Sequence, residues 1–154
     1  MTTSEPSNWS AILRTSTSYR LLQIALAASG TVMILFYPLA LVWPSGWAWH
    51  PGPLYHSDYF MMIAGLYATL GVFLWNAARR PERNISLIWF TVCSSVVHAA
   101  IMAVQSVANA HHRGHLYGDV PALLVAAVTL SALMWSSGLA RGSHTRSTAG
   151  PSVS

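Results

Sequence analysis

The chain has 154 residues, of which 53% are hydrophobic and only 8% are charged, with a formal net charge of +4. A soluble domain carries about a quarter of its residues as charged side chains, because its surface must face water. The composition therefore excludes an ordinary soluble domain and favours a protein embedded in lipid. All the basic side chains are arginines, and they flank apolar runs, which indicates membrane orientation and not nucleic-acid binding.

Four apolar runs follow one another, each with about the 20 residues that cross the ~30 Å hydrocarbon core of a bilayer. They are predicted at 21–43, 58–78, 85–108 and 119–139. In lipid, the backbone N–H and C=O groups must form hydrogen bonds within the protein, which leaves helices and closed barrels as spanning structures. None of the runs alternates as a barrel strand does, so all four are predicted to be helices. The expected fold class is all-α: one integral membrane four-helix bundle over residues 19–140.

The arginines predict the orientation of the bundle. Seven of the eight lie on one predicted side of the membrane: Arg14, Arg20, Arg79, Arg80, Arg83, Arg141 and Arg146. Because cytoplasmic segments are enriched in arginine and lysine, both termini and the connection between the second and third spans are expected in the cytoplasm. The first span is too long for the core of a cleaved signal peptide and is expected to be a retained anchor. The tails are expected at 1–18 and 141–154, the second of them disordered.

The second and third spans each carry a stripe of polar, small and methionine side chains, spaced for one side of a helix. The stripe of the second span comprises Asp58, Met62, Gly65, Thr69 and Asn76. The stripe of the third span comprises Ser94, His98, Met102, Gln105, Asn109 and His112. A short connection makes the two helices antiparallel neighbours, so the stripes are predicted to face each other in a polar seam that opens outward. His98 would lie near the membrane midplane, opposite Ala68 and Thr69.

This predicted seam is a candidate binding site for a small amphipathic ligand. Its candidate binding residues are Asp58, Met62, Thr69, His98, Met102, Gln105 and Asn109. The alternative is that these polar side chains only hold helices together, at about 0.6–2 kcal/mol each. For His98 a functional role is favoured, because an ionisable residue at this depth is a functional hypothesis by default.

Six of the seven histidines lie on the predicted outer side or face it from within the membrane, and His144 is the exception. The candidate metal ligands are His56, Asp58, His112, His115 and Asp119. Imidazole and carboxylate without thiolate suit zinc, iron or copper(II), so a divalent metal is the cofactor to test. The spacing matches no closed metal motif, and a solvated, pH-responsive loop is the alternative. Asp119, followed by Pro121, also suits a helix N-cap with no chemical role.

Between the third and fourth spans stands the sequence His-Arg-Gly-His-Leu-Tyr-Gly-Asp-Val-Pro-Ala-Leu, residues 112–123. Together with the four-span layout it resembles the small bacterial membrane proteins called BphX-like and, more distantly, the DoxX-like four-helix proteins. The resemblance covers about 58–139 and implies a multi-pass protein of the bacterial inner membrane. It carries over no catalytic residue, because no chemistry is established for the BphX-like proteins.

Three functions are therefore expected as alternatives. The first is a non-catalytic accessory or binding protein that holds a metal ion or small amphipathic ligand in the predicted seam. The second is a redox or metalloenzyme subunit that uses the outer histidines and aspartates. The third is a transport component, which needs an oligomer because four helices enclose little water. No nucleophile–base pair indicates an enzyme. The expected partners are the lipid bilayer and a homo-oligomer or larger membrane complex, not nucleic acid.

Overall fold

The computed structural model describes residues 16–42, 58–108 and 117–142. These ranges contain helices α1 (Thr17–Val42), α2 (Asp58–Arg79), α3 (Ile85–Ala108), α4 (Asp119–Ser136) and α5 (Leu139–Gly142), with a 3-10 turn at Pro81–Arg83. The first four helices are each long and apolar enough to cross a membrane. No strand occurs in the described ranges, and the predicted all-α class with four spanning helices is confirmed.

The outer surface of the four helices is apolar. Only 17–28% of the residues in their most apolar windows are buried inside the bundle. Ile24, Val72, Val104 and Val128 are each 60–68% exposed. Exposing so much apolar surface to water would cost about 25 cal/mol per Å². The chain is therefore a membrane protein whose helices present their apolar faces to lipid.

Helices that follow one another in the chain form the main packing interfaces. α1 packs most extensively on α2, and α3 packs on α4. α1 also packs on α4, whereas α2 and α3 approach each other at only a few positions. The largest buried apolar side chains come from all four helices: Leu22, Leu26, Leu74, Ile88, Leu130 and Met134. The bundle thus consists of two helical hairpins joined through α1 and α4.

The α1–α2 interface is built around two glycines. A Cβ atom added to Gly30 would lie 2.7 Å from the carbonyl oxygen of Gly71, so the two backbones are in contact. Small residues allow this approach between membrane helices. Beside the crossing, the Trp75 indole N–H donates to the Thr31 hydroxyl at 2.9 Å, and that hydroxyl donates to the Ala27 carbonyl at 2.8 Å. These bonds satisfy the polar atoms of the interface within the hairpin.

α4 begins at Asp119, as predicted, but its N-cap residue and its last residue differ from the prediction. The N-cap position belongs to Gly118, and Asp119 is the first helical residue. Its carboxylate still lies at the positive end of the helix, where a negative charge is favourable. At the other end α4 stops at Ser136, because Gly138 takes a φ of 77° and turns the chain into α5. Glycine adopts this left-handed conformation without steric cost.

Candidate functional site

The stripe of the second span, now the α2 stripe, lies on the outside of the bundle. Asp58, Met62, Gly65, Thr69 and Asn76 are all exposed. Met62 is 68% exposed, and a Cβ added to Gly65 would meet no neighbouring atom within 4 Å. The prediction that the α2 stripe packs against the stripe of the third span is therefore wrong.

The glycine crossing explains why α2 turns this way. α2 presents Gly71 and Leu74 to α1, and its stripe lies on the opposite side of the helix. Polar side chains that form hydrogen bonds within their own helix do not require that helix to turn them towards a neighbour. The Thr69 hydroxyl, for example, donates to the Gly65 carbonyl at 2.9 Å. Close backbone packing decides the pairing instead, since lipid supplies no hydrophobic force between helices.

The stripe of the third span, now the α3 stripe, contacts α2 at His98. Ser94, His98 and Met102 are half-buried, whereas Gln105 is exposed. The Ser94 hydroxyl donates to the Thr91 carbonyl in its own helix at 3.1 Å. The remaining predicted members, Asn109 and His112, lie outside the described residues. Within the described residues, His98 thus carries the contact between the α3 stripe and α2.

Tyr67 of α2 meets this stripe at His98. The Tyr67 hydroxyl lies 3.2 Å from Nδ1 and 3.5 Å from Nε2 of the imidazole, and the ring centroids are 6.1 Å apart. Which group donates depends on the imidazole tautomer. The predicted depth of His98, opposite Ala68 and Thr69, agrees within one residue, but the contact comes from a different face of α2. We call this pair the Tyr67–His98 site.

Sequence reasoning did not identify Tyr67. The position of Tyr67 was nevertheless a signal. Tyrosine in membrane helices is enriched at the two interfaces, so a tyrosine well inside a span, as Tyr67 is, is unusual. A buried tyrosine usually needs a hydrogen-bond partner for its hydroxyl. The adjacent antiparallel helix offers His98 at the same depth, so the pair could have been inferred from depth and hydrogen bonding together.

Aromatic side chains of α1 and α2 extend from the Tyr67–His98 site towards one membrane surface. The Phe36 ring stands edge-on to Tyr67, with centroids 5.1 Å apart, and lies 5.6 Å from the Phe60 ring. Tyr37 continues the series, 6.3 Å from Phe60. We call these four residues the aromatic cluster. Edge-to-face and tilted ring pairs at such distances are favourable beyond simple burial, so the cluster holds the Tyr67 ring in place.

Asp119 stands at the end of the bundle towards which the aromatic cluster extends. It is half-buried at the start of α4, and α2 begins at the same end of the bundle. The Tyr67–His98 site itself combines an imidazole and a phenol with an aromatic wall.

The predicted metal site is only partly described. His56, His112 and His115 lie outside the described residues, while Asp58 is exposed and Asp119 is half-buried. Within the ranges that the structure describes, no three His, Cys, Asp or Glu side chains come together as metal ligands would. The outer metal site therefore stays a prediction, and no metal geometry can be derived for it.

Comparison with known proteins gives a family without an assigned activity. The sequence model of one family matches residues 16–150, nearly the whole chain. No curated protein and no solved structure matches the chain. The match neither establishes nor contradicts the likeness to BphX-like and DoxX-like proteins. By this match, the chain belongs to DUF6632, a family of unknown function.

Proposed function

We propose that this protein is a non-catalytic accessory or binding protein of the membrane, which holds a small amphipathic ligand at the Tyr67–His98 site. The observation that carries the proposal is the 3.2 Å contact between the Tyr67 hydroxyl and His98 Nδ1 well inside two apolar helices. Polar and ionisable groups at this depth are costly in lipid, and they commonly mark ligand or ion pathways.

The surroundings of the pair favour an aromatic ligand. Phe36 and Phe60 offer ring faces and edges for stacking. A phenol and an imidazole together supply a hydrogen-bond donor and an acceptor for one hydroxyl or carbonyl group. A charged ligand is disfavoured at this depth, because charge inside the membrane is costly. The proposed ligand class is therefore a small neutral aromatic compound with one or two oxygen substituents.

The proposed location is the bacterial inner membrane, with both termini in the cytoplasm. The distribution of the arginines supports this orientation, and the likeness to BphX-like proteins supports the bacterial membrane. In this orientation α2 and α4 both begin at the outer surface. The Tyr67–His98 site would then receive its ligand from the outer leaflet, along the aromatic cluster and past Asp119.

Equilibrium dialysis of the full-length protein in lipid nanodiscs, with 2-naphthol as the probe, tests this function. We expect saturable binding above the uptake of protein-free nanodiscs. Tyr67→Phe and His98→Leu should each weaken binding about three- to tenfold, the usual range for one hydrogen bond. Tyr117→Phe is the matched control, because Tyr117 is 88% exposed. Uptake equal to that of empty nanodiscs, or binding that neither site variant weakens, would refute the proposed site.

A further inference from the structure

A second candidate site lies at the arginine-bearing end of the bundle, between α1 and α2. It is a cleft of about 370 Å³ lined by Gln23, Ile24, Ala27, Trp75, Ala78 and Arg79. We propose that this cleft binds an anionic phospholipid, with the phosphate at Arg79 and an acyl chain along the apolar wall. The site is separate from the Tyr67–His98 site and does not depend on the ligand proposed there.

Positive charge dominates this end of the described chain. Four exposed arginines lie here: Arg20, Arg79, Arg80 and Arg83. The nearby acidic side chain, Glu82, accepts a hydrogen bond from the buried Tyr19 hydroxyl at 2.6 Å. One carboxylate cannot neutralise four guanidinium groups, so the surface around the cleft attracts anions. Each basic residue near a membrane surface contributes about 1 kcal/mol towards anionic lipid.

Gln23 adds a hydrogen-bonding group at the mouth of the cleft. Its Nε2 donates to the Arg79 carbonyl at 3.5 Å and so satisfies one of the last carbonyl groups of α2. Without this hydrogen bond, the negative end of the α2 dipole would repel a phosphate. The positive end of α1 lies beside it, so the two helix dipoles largely offset each other. Selection for an anion therefore depends on the Arg79 guanidinium, which can form charge-assisted hydrogen bonds with phosphate oxygens.

The apolar side of the cleft argues for a lipid and against free phosphate. Ile24 is 64% exposed and Trp75 is 47% exposed, which leaves apolar surface along the path of an acyl chain. The Trp75 indole is fixed by its hydrogen bond to Thr31. Tryptophan is characteristic of the level at which lipid headgroups meet acyl chains. A lipid can use both the arginine and this apolar wall, whereas inorganic phosphate can use only the first.

Native mass spectrometry of the full-length protein tests the proposal, after purification in a neutral detergent. Phosphatidylglycerol and phosphatidylcholine with identical acyl chains are offered in equal amounts, and we expect preferential retention of phosphatidylglycerol. Arg79→Gln should reduce that preference about fivefold, the effect of one basic residue. Arg83→Gln is the matched control, because Arg83 is exposed at the same end but does not line the cleft. Its effect should be smaller than that of Arg79→Gln, because a charge that does not line the cleft acts on the bound phosphate only through solvent and salt.

Several results would overturn the lipid site. Equal retention of the two lipids would exclude recognition of the headgroup charge. Equal losses in Arg79→Gln and Arg83→Gln would indicate a diffuse basic surface in place of a site. Displacement of the lipid by millimolar inorganic phosphate would identify a simple phosphate site. Circular dichroism of both variants confirms that a reduced preference does not reflect unfolding.

Discussion

Gly30 and Gly71 bring α1 and α2 into backbone contact: a Cβ added to Gly71 would lie 2.6 Å from the Gly30 carbonyl oxygen. No real Cβ atom tolerates such a distance, so a larger side chain must push the helices apart. The displacement would also disturb the bond between Trp75 and Thr31, which lies beside the crossing. The glycine pair therefore determines how α1 and α2 are held together.

Gly71→Ala should destabilise the protein by about 1–3 kcal/mol, the usual cost of overpacking. Gly65→Ala is the matched control in the same helix, because no neighbouring atom lies within 4 Å of a Cβ at that position. It should be neutral or should stabilise by up to about 1 kcal/mol, since alanine favours a helix more than glycine does. Unfolding in mixed detergent–SDS micelles measures both, and equal effects of the two variants would contradict the crossing.

A double-mutant cycle tests the bond between Tyr67 and His98 apart from ligand binding. We expect Tyr67→Phe and His98→Leu to couple by about 0.6–1.7 kcal/mol in free energy of unfolding, as measured for hydrogen bonds between membrane helices. The control cycle joins Met62→Ala with Gln105→Leu, two exposed residues that would lie at the same depth in the predicted seam. These should not couple. Coupling in the control cycle alone would restore the original seam arrangement.

The orientation can be tested with a reporter enzyme that is active only in the periplasm. A fusion after Ser154 should be inactive, because the arginine distribution predicts both termini in the cytoplasm. A second fusion, inserted after Gly52 between the first two spans, should be active and serves as the positive control. Activity of the fusion after Ser154 would reverse the orientation and would move the outer histidines to the cytoplasmic side.

The predicted outer metal site needs a direct binding measurement. Cu(II), Zn(II) and Fe(II) are each titrated into the purified protein, and we expect stoichiometric binding that is lost in the His112→Ala, His115→Ala double variant. His144→Ala is the control and should bind as the wild type does. Binding should weaken as the pH falls through about 6.5, because a protonated imidazole cannot coordinate a metal. Binding unaffected by the double variant would favour the solvated-loop interpretation.

Hydropathy predicts the helices well because length and composition alone determine which segments can cross a bilayer. The third span, predicted at 85–108, coincides with α3. The end of α4 is less predictable, because a turn at Gly138 interrupts an apolar run without changing its composition. Local backbone conformation, rather than hydropathy, determines that boundary.

The direction in which each helix faces is harder to predict. In water the polar side of a helix faces outward, but here lipid and protein interior are equally apolar, so a polar stripe does not identify the packed face. The α3 stripe did border its neighbour at His98, while the α2 stripe did not. The packed face is marked by Gly30 and Gly71, which allow a close helix crossing. The sequence alone does not single them out, because Gly65 lies in the same span as Gly71 and packs against no neighbouring atom.

The hairpin arrangement has a consequence for biogenesis. Because α1 packs chiefly on α2 and α3 chiefly on α4, most of the native interfaces join segments that leave the ribosome one after the other. The first hairpin can therefore pair in the bilayer while the second is still being synthesised. The contacts between α1 and α4 then require only the docking of two finished halves. Such low contact order favours rapid assembly and shortens the time for which Gly30 and Gly71 are exposed to other nascent chains.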